Sequence, residues 1–459
     1  MVTADRIPAD AADAARRVES LELAGVELVE LSFVDNAGIT RVKTVPLGRL
    51  ASAAVHGVGA SPCFDTFGSD DLMVPGRYLG GPDGDLRLIP DLDRAVALAG
   101  APGWAWAPAD RFTQDGARYV ACQRAFATRQ VAAAATQGLT LRMAFEHEWI
   151  LGRAGEPAFI PAFDGPAYGQ IRLEHVAAYA RELVSDLQAQ GLSVDQFHPE
   201  YALAQLELSV AATDPVAAAD DAVLVRHTIR TRSLHHGWRA TFAPSVDPDG
   251  AGSGAHLHLS VHNTDGTLMS GGPGPAGLHP AAESFLAGVL RELPALVAIG
   301  AGHPVSLLRL LPSRWAGIWQ CWGIETRETA LRLITGLPGT GTWSANAEIK
   351  CFDATANPYL LAGSVIAAGL AGIADDLKLP APVTGDPALL DPVQQAAAGI
   401  HRLPTSTTEA ATALESSTTL ATALGPELHD AILTVRRAEA DRCAGLDAAK
   451  LAETTRWRW

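Results

Sequence analysis

Hydrophobic positions recur at helical spacing over residues 9–24, and two β-like runs follow at 26–33 and 40–46. A loop-rich stretch then leads to a short apolar run at 86–90, so the first part of the chain reads as a small α+β domain. Around 102–110 the composition turns to Pro, Trp and Ala, and 122–137 reads as an Ala-rich helix opening a larger domain, so the boundary is expected within about ten residues of 110. The expected division is therefore 1–110 and 111–459. In the larger part, β-like runs at 140–151, 205–210, 256–261, 330–334 and 347–352 alternate with helical runs at 173–190, 214–236, 280–296 and 360–377. Gly/Pro segments such as DPDGAGSGA and SGGPGPAG punctuate them, and the pattern predicts a broad sheet backed by helices. Residues 408–444 are helical by pattern and are expected on the outside or against another subunit. The most apolar run, 360–374, is too short to span a bilayer, and its Gly and Ala predict a tightly packed helix instead.

Composition narrows the function classes. With 459 residues, 48% hydrophobic and 19% charged, the chain can bury large cores and is not disordered. Lys and Arg number 35 against 51 Asp and Glu, a net charge of −16, which disfavours a nucleic acid partner because such binding needs basic surface. Cys63, Cys122, Cys321, Cys351 and Cys443 are scattered and never form CxxC, so neither a disulfide framework nor a zinc finger is indicated. Residues 1–20 mix acids with basic residues and lack an apolar core, so no secretory signal is read. A cytoplasmic protein without a membrane span is expected.

Chemistry concentrates in the β-like segments. In FEHEW, alternation puts Glu146 and Glu148 on one strand face and His147 on the other. Two like charges on a half-buried sheet need compensation, which a divalent cation supplies. HPEYALAQLELSV carries Glu200 and Glu207, with Gln205 on the face of Glu207; GSGAHLHLSV projects His256 and His258 from one face; AEIKCFDATANPYL places Glu348 and Lys350 together. Imidazole with carboxylate suits Mg²⁺ or Mn²⁺ better than a thiolate-seeking metal. Taken alone, each segment also fits a solvated strand edge or a satisfied core residue; their coincidence does not fit solvated surface. Arg309, Arg327 and Arg332 add a cationic stretch suited to carboxylates and phosphates. Cations and arginines converging on one cavity are the apparatus of phosphoryl transfer.

At these residues the chain resembles the glutamine synthetase family, whose ExE, HxE…GQxE, GSGxHxHxS, RLxP…WG…R…RI and ExKxxD…ANPYL motifs occur here in that order. FVDNAGITRVKTVP resembles the opening of the family's N-terminal β-grasp domain. The resemblance implies an α+β fold: a small β-grasp domain and a large catalytic domain with an antiparallel sheet backed by helices. It implies that Glu148, Glu200 and Glu207 hold one divalent ion and Glu146, His256 and Glu348 a second. It also implies that Arg309, Lys350 and Gly252 bind glutamate, that Arg327 stabilises the transferred phosphoryl group, and that His258, Ser260 and Arg332 contact ATP. The implied reaction is a ligation in which ATP converts a side-chain carboxylate to an acyl phosphate and an amine displaces the phosphate. A double ring of subunits, a dodecamer, is implied as well, with Asp65 acting on the neighbouring subunit's site.

Departures from the family pattern sharpen the expectation. Where ammonia-using members carry an acid, three residues after the RLxP proline, this chain has Trp315. An aromatic there cannot pair with ammonium by charge but offers a cation–π face or an apolar wall to a larger amine. Ala251 replaces the asparagine before Gly-Ser-Gly, Val305-Ser306 replaces the Asn-Ser before the substrate arginine, and Lys350 replaces an arginine, keeping charge without the bidentate fork. The expected product is a γ-glutamylamide of a polyamine, ethanolamine or a similar amine. The alternatives are a glutamine synthetase using ammonia and a non-catalytic structural or regulatory relative. Tyr359 is the last tyrosine and is expected near the core, so no nucleotidylation of a C-terminal tyrosine is expected.

Overall fold

The computed structural model describes residues 11–156 and 158–459. The first helix is Ala11–Leu23; residues 9 and 10, where its pattern begins, and the first ten residues of the segment read for a signal lie outside the described residues. The small sheet contains β1 (Leu28–Val34), β2 (Thr40–Pro46), β3 (Val58–Ala60), β4 (Leu86–Pro90), β5 (Val96–Ala97) and β6 (Trp104–Thr113), in the order β2-β1-β6-β4-β3 with β5 on β6. β1 and β6 run parallel and the other pairs antiparallel.

β6 occupies the stretch where the composition turns to Pro, Trp and Ala. Ala105, Ala107 and Ala109 alternate into the small-domain core with Leu31 and Leu88, while Trp106 points into the large core. Pro108 cannot donate a ladder bond in this central strand, but its carbonyl accepts Asp91 N–H at 2.8 Å. The strand carries the small sheet past residue 110 to Thr113, and the next helix begins at Gln123.

The large sheet contains β7 (Thr140–Arg153), β8 (Val194–Pro199), β9 (Gln205–Val210), β10 (Trp238–Thr241), β11 (Leu257–Asn263), β12 (Gly266–Thr267), β13 (Trp319–Ile324), β14 (Thr329–Ile334), β15 (Asn346–Ile349) and β16 (His401–Arg402). Its order is β16-β13-β14-β15-β11-β7-β9-β8, with β10 on β7 and β12 on β11. It is antiparallel as expected except at β13 and β14, which run parallel. Helices Gln123–Thr136, Pro215–His235, Pro280–Gly300 and Pro358–Ala374 build the layer with it. The last is buried along nearly its whole length; a Cβ on Gly288 would lie 2.3 Å from the Ala368 carbonyl oxygen, so this helix and Pro280–Gly300 meet backbone to backbone. Among the described residues no helix is long and apolar enough to cross a membrane.

By its pattern the C-terminal region is expected on the outside or against another subunit. It forms Thr407–Ser416, Thr418–Leu424 and Pro426–Cys443, and the last of these is anchored inside the molecule. Buried Arg436 donates to the Ala298 carbonyl at 2.8 Å, to Glu439 at 2.6 Å and to the Asn36 carbonyl, while Glu439 accepts Ser69 N–H at 3.0 Å. A second clasp joins the two parts through Arg124, which donates to Asp220 at 2.9 Å, to Asp91 at 2.8 Å and to Asp110 at 3.3 Å; Tyr359 O–H closes on Asp220 at 2.8 Å.

Candidate active site

Register places the acids and imidazoles of distant segments on one face of the run β14-β15-β11-β7-β9-β8, in two short rows offset along β7. Arg332 faces Glu348 across β14 and β15, and Glu348 faces His258 across β15 and β11. On β7, Glu148 faces Glu207 of β9, which faces His198 of β8. Neighbouring strands lie about 4.8 Å apart, so side chains on one face of successive strands converge. The alternation that carries Glu146 and Glu148 to this face sends His147 into the apolar packing behind the sheet. There burial, then the charge of Arg226, holds its imidazole down at about 3.

Ligand atoms lie within 4.8 Å of one another in three sets: Glu146, Glu148 and His256; Glu146, His258 and Glu348; and His198, Glu200 and Glu207. His256 Nδ1 is 3.0 Å from Glu146 Oε1 and 3.2 Å from Glu348 Oε1, and His256 Nε2 is 3.8 Å from Glu148. His258 Nε2 is 3.3 Å from Glu146, with Nδ1 2.9 Å from Asn346 Oδ1. Burial works against ionising Glu146, yet the charges and hydrogen bonds of His256 and His258 hold it well below the usual carboxylate range. Glu148 is raised, by burial first and by the nearby acids, and Glu207 is raised to about 8 for the same reasons. His198 rises to about 9 through its hydrogen bond to Glu207. His256, pushed down by burial and Lys350, is carried up to about 9 by Glu146 and Glu348. Acids so crowded on a largely buried face repel one another and compete for protons, and the oxygen-rich donor set with imidazole fits hard divalent cations.

The expected substrate side chains stand beside the row. Arg309 is buried, with Nη2 3.2 Å from His256 Nε2 and bonded to the carbonyls of Lys350 at 2.7 Å and Phe352 at 3.1 Å. Gly252 lies against it: a Cβ there would fall 2.7 Å from Arg309 Cγ and 2.4 Å from the Pro244 carbonyl oxygen, so no side chain fits. Lys350 Nζ reaches Glu348 at 3.0 Å, and Arg332 bridges Glu348 and Glu325, each at 3.0 Å. Ser260 Oγ lies 2.8 Å from His262 Nε2, on the strand face of His258.

Trp315 and Arg327 meet at the rim. The Arg327 guanidinium sits 5.7 Å from the Trp315 ring centroid and is exposed, and Trp315, 53% exposed, has φ 55°. Asp65 is not brought to the row. Its side chain has no exposed surface; Arg111 pairs with it at 2.8 Å, and Tyr119 O–H and Gln123 Nε2 donate to it at 2.9 and 3.4 Å. Within its own chain this carboxylate is enclosed by Arg111, Tyr119 and Gln123.

Sequence reasoning passed over His198, Tyr168, Asn346, Glu325 and Glu328. The HPE triplet held a signal for His198, two residues before Glu200. Tyr168, whose O–H donates to Glu200 at 2.8 Å, comes from a loop with no pattern to announce it.

Comparison with known proteins agrees with this architecture. Residues 12–120 match the glutamine synthetase N-terminal domain and residues 120–450 the glutamine synthetase catalytic domain. The chain is 53% identical over 438 residues to the gamma-glutamylpolyamine synthetase GlnA3 of Streptomyces coelicolor, covering 95% of this chain and 94% of that protein. It is 28% identical over 430 residues to the glutamine synthetase of Halobacterium salinarum, covering 92% of each. Among solved structures, a novel glutamine synthase homolog superposes with a TM-score of 0.84 at 32% identity, over 95% of this chain and 99% of that one. GmaS in complex with ADP superposes with a TM-score of 0.82 at 27% identity, over 94% of this chain and 97% of that one. The protein belongs to the glutamine synthetase family. Enzymes of this family use ATP and divalent metal ions.

Proposed function

We propose that the protein is an ATP-dependent ligase that joins the γ-carboxylate of glutamate to an organic amine, with polyamines as the amine class. The observation that carries this reading is the row of Glu146, Glu148, Glu207 and Glu348 on one sheet face beside Arg309 and Lys350. The 53% identity to a gamma-glutamylpolyamine synthetase supports the amine class, as does an aromatic at Trp315 where ammonia-using members have an acid.

By the family resemblance Glu148, Glu200 and Glu207 would hold one divalent ion, Mg²⁺ or Mn²⁺, and Glu146, His256 and Glu348 the second. Glu148 itself groups with Glu146 and His256, and His198 beside Glu200 and Glu207 and His258 beside Glu146 and Glu348 are further donors. The ions, when bound, offset negative charge on the ATP phosphates and on the transferred group. Arg309, Lys350 and the side-chain-free Gly252 receive glutamate. His258, Ser260 and Arg332 face the nucleotide, and Arg327 approaches the phosphoryl group. A γ-carboxylate oxygen attacks the terminal phosphorus of ATP, the bond to ADP breaks, and γ-glutamyl phosphate forms. The amine nitrogen then attacks the acyl carbon, phosphate leaves with the bonding pair, and the nitrogen gives up a proton. Trp315 offers the amine a wall and a π face rather than a charge. A homododecamer of two hexameric rings in the cytoplasm completes the reading.

ADP release measured with glutamate and, in turn, spermidine, putrescine, ethanolamine and ammonium tests it. Turnover should be highest with a polyamine and low with ammonium; robust turnover with ammonium alone would replace this reading with glutamine synthesis.

A further inference from the structure

Glu328 follows Arg327 at the entrance to β14 and is 6% exposed. Extending the alternation of β14 backwards places residues 328, 330 and 332 on one face, the face on which Arg332 meets Glu348. Lys350 N–H bonds to the Ala330 carbonyl at 3.0 Å, so Glu328 sits one step beyond Lys350 along the row. Above it, the loop that carries Trp315 folds down. A Cβ on Gly317 would lie 2.6 Å from Lys350 Cβ and 3.1 Å from Ala330 Cα, which fixes how closely this loop covers the strand.

The two oxygens of Glu328 have different fates. Oε1 accepts Trp315 N–H at 2.9 Å, holding that residue at its positive φ. Oε2 is buried and has no hydrogen-bond partner among the described residues. A buried carboxylate oxygen left without a donor costs free energy unless something fills the place, and a cationic N–H group is the donor it best accepts. Burial raises the pKa of Glu328, the Trp315 N–H lowers it, and Asp386 raises it again ahead of an opposing effect of Lys350. Asp386 is tied to the same loop through Ser313 O–H at 2.7 Å and faces Glu328 as a second negative charge, with the Lys350 ammonium and the Arg327 guanidinium at the Trp315 ring as the nearby cations. The side chain of Lys350 is already committed to Glu348.

We infer that Glu328 is the anion that receives the ammonium head of the amine substrate, taking from the neighbouring strand the part that the residue at position 315 does not play in this chain. The inference rests on the ligase reading and names the charged partner within it: Trp315 covers the alkyl portion and Glu328 Oε2 accepts the N–H. The substrate class is a primary alkylamine that arrives as a cation, polyamines included.

The test compares two nucleophiles in one preparation. Spermidine is cationic at neutral pH and hydroxylamine is not, and both convert a γ-glutamyl phosphate to a stable product. Glu328→Gln keeps the shape and an oxygen for Trp315 N–H but removes the charge. The ratio of kcat/KM for spermidine to that for hydroxylamine should fall roughly ten- to hundredfold in the variant, the worth of a hydrogen bond to a charged group. An unchanged ratio would overturn the role of Glu328 while leaving the ligase intact, because wild type would still make both products. Wild type making neither product would overturn the ligase reading itself and this inference with it.

Discussion

Two residues decide what the site can do, and their roles differ in kind. Glu348 meets His256, Arg332 and Lys350 from the centre of the row. Glu348→Gln keeps the size of the side chain and removes the charge a divalent ion needs. It should weaken Mn²⁺ binding at least about 10- to 100-fold, the range seen even for residues that only support a ligand. Titration calorimetry checks this, and unchanged binding would remove Glu348 from the ligand set. Trp315 is a selector instead. Trp315→Glu restores an acid on the loop and should shift the ammonium-to-spermidine ratio of kcat/KM about tenfold towards ammonium, a change of about 1.4 kcal/mol. At this scale much was legible in the chain: each ExE or HxH pair declared its face by alternation alone. Glu328 was not, because the residue pattern says nothing of a loop folding over it, and neither was the enclosure of Asp65, which depends on Arg111 arriving from β6.

At the scale of elements, the site depends on how the two parts of the chain are clasped. Arg124 neutralises Asp220, Asp91 and Asp110 where almost no water reaches them. Removing the cation that these buried acids share leaves Asp220 with Arg94 and Asp110 with Arg118 as weaker compensation, so Arg124→Ala should cost about 3 kcal/mol in chemical denaturation. A surface-like loss of well under 1 kcal/mol would show that the clasp is not a unit. Gly372 lies where a Cβ would meet the Ser284 carbonyl oxygen at 2.2 Å and Gly288 Cα at 2.6 Å. Gly372→Ala should therefore destabilise by about 1–3 kcal/mol through overpacking, read from the same melts. The small and alanine-rich composition of this helix announced its close packing in advance. β6 and β8 were not announced. The first carries Pro108, which cannot donate to a ladder, and the second, VDQFHP, is too polar for its short length to mark a strand, since one of its faces serves the site rather than a core.

Across the whole molecule, the chain spends stability to concentrate charge on one sheet face, and ligands should return it. Mn²⁺ with ATP at about 100 times their dissociation constant should stabilise the folded state by about 2.7 kcal/mol. Differential scanning fluorimetry reads this as a raised melting temperature, absent in Glu348→Gln. A non-catalytic relative has no reason to show such a gain. The most direct measurement of the central claim is the stoichiometry of the complete reaction. Purified protein given ATP, glutamate, Mn²⁺ and spermidine is followed for ADP by coupled assay and for γ-glutamylspermidine by mass spectrometry. The account predicts one ADP for each γ-glutamylspermidine and little product when ammonium replaces spermidine; ADP release without the amide, or glutamine formed from ammonium at the faster rate, would contradict it.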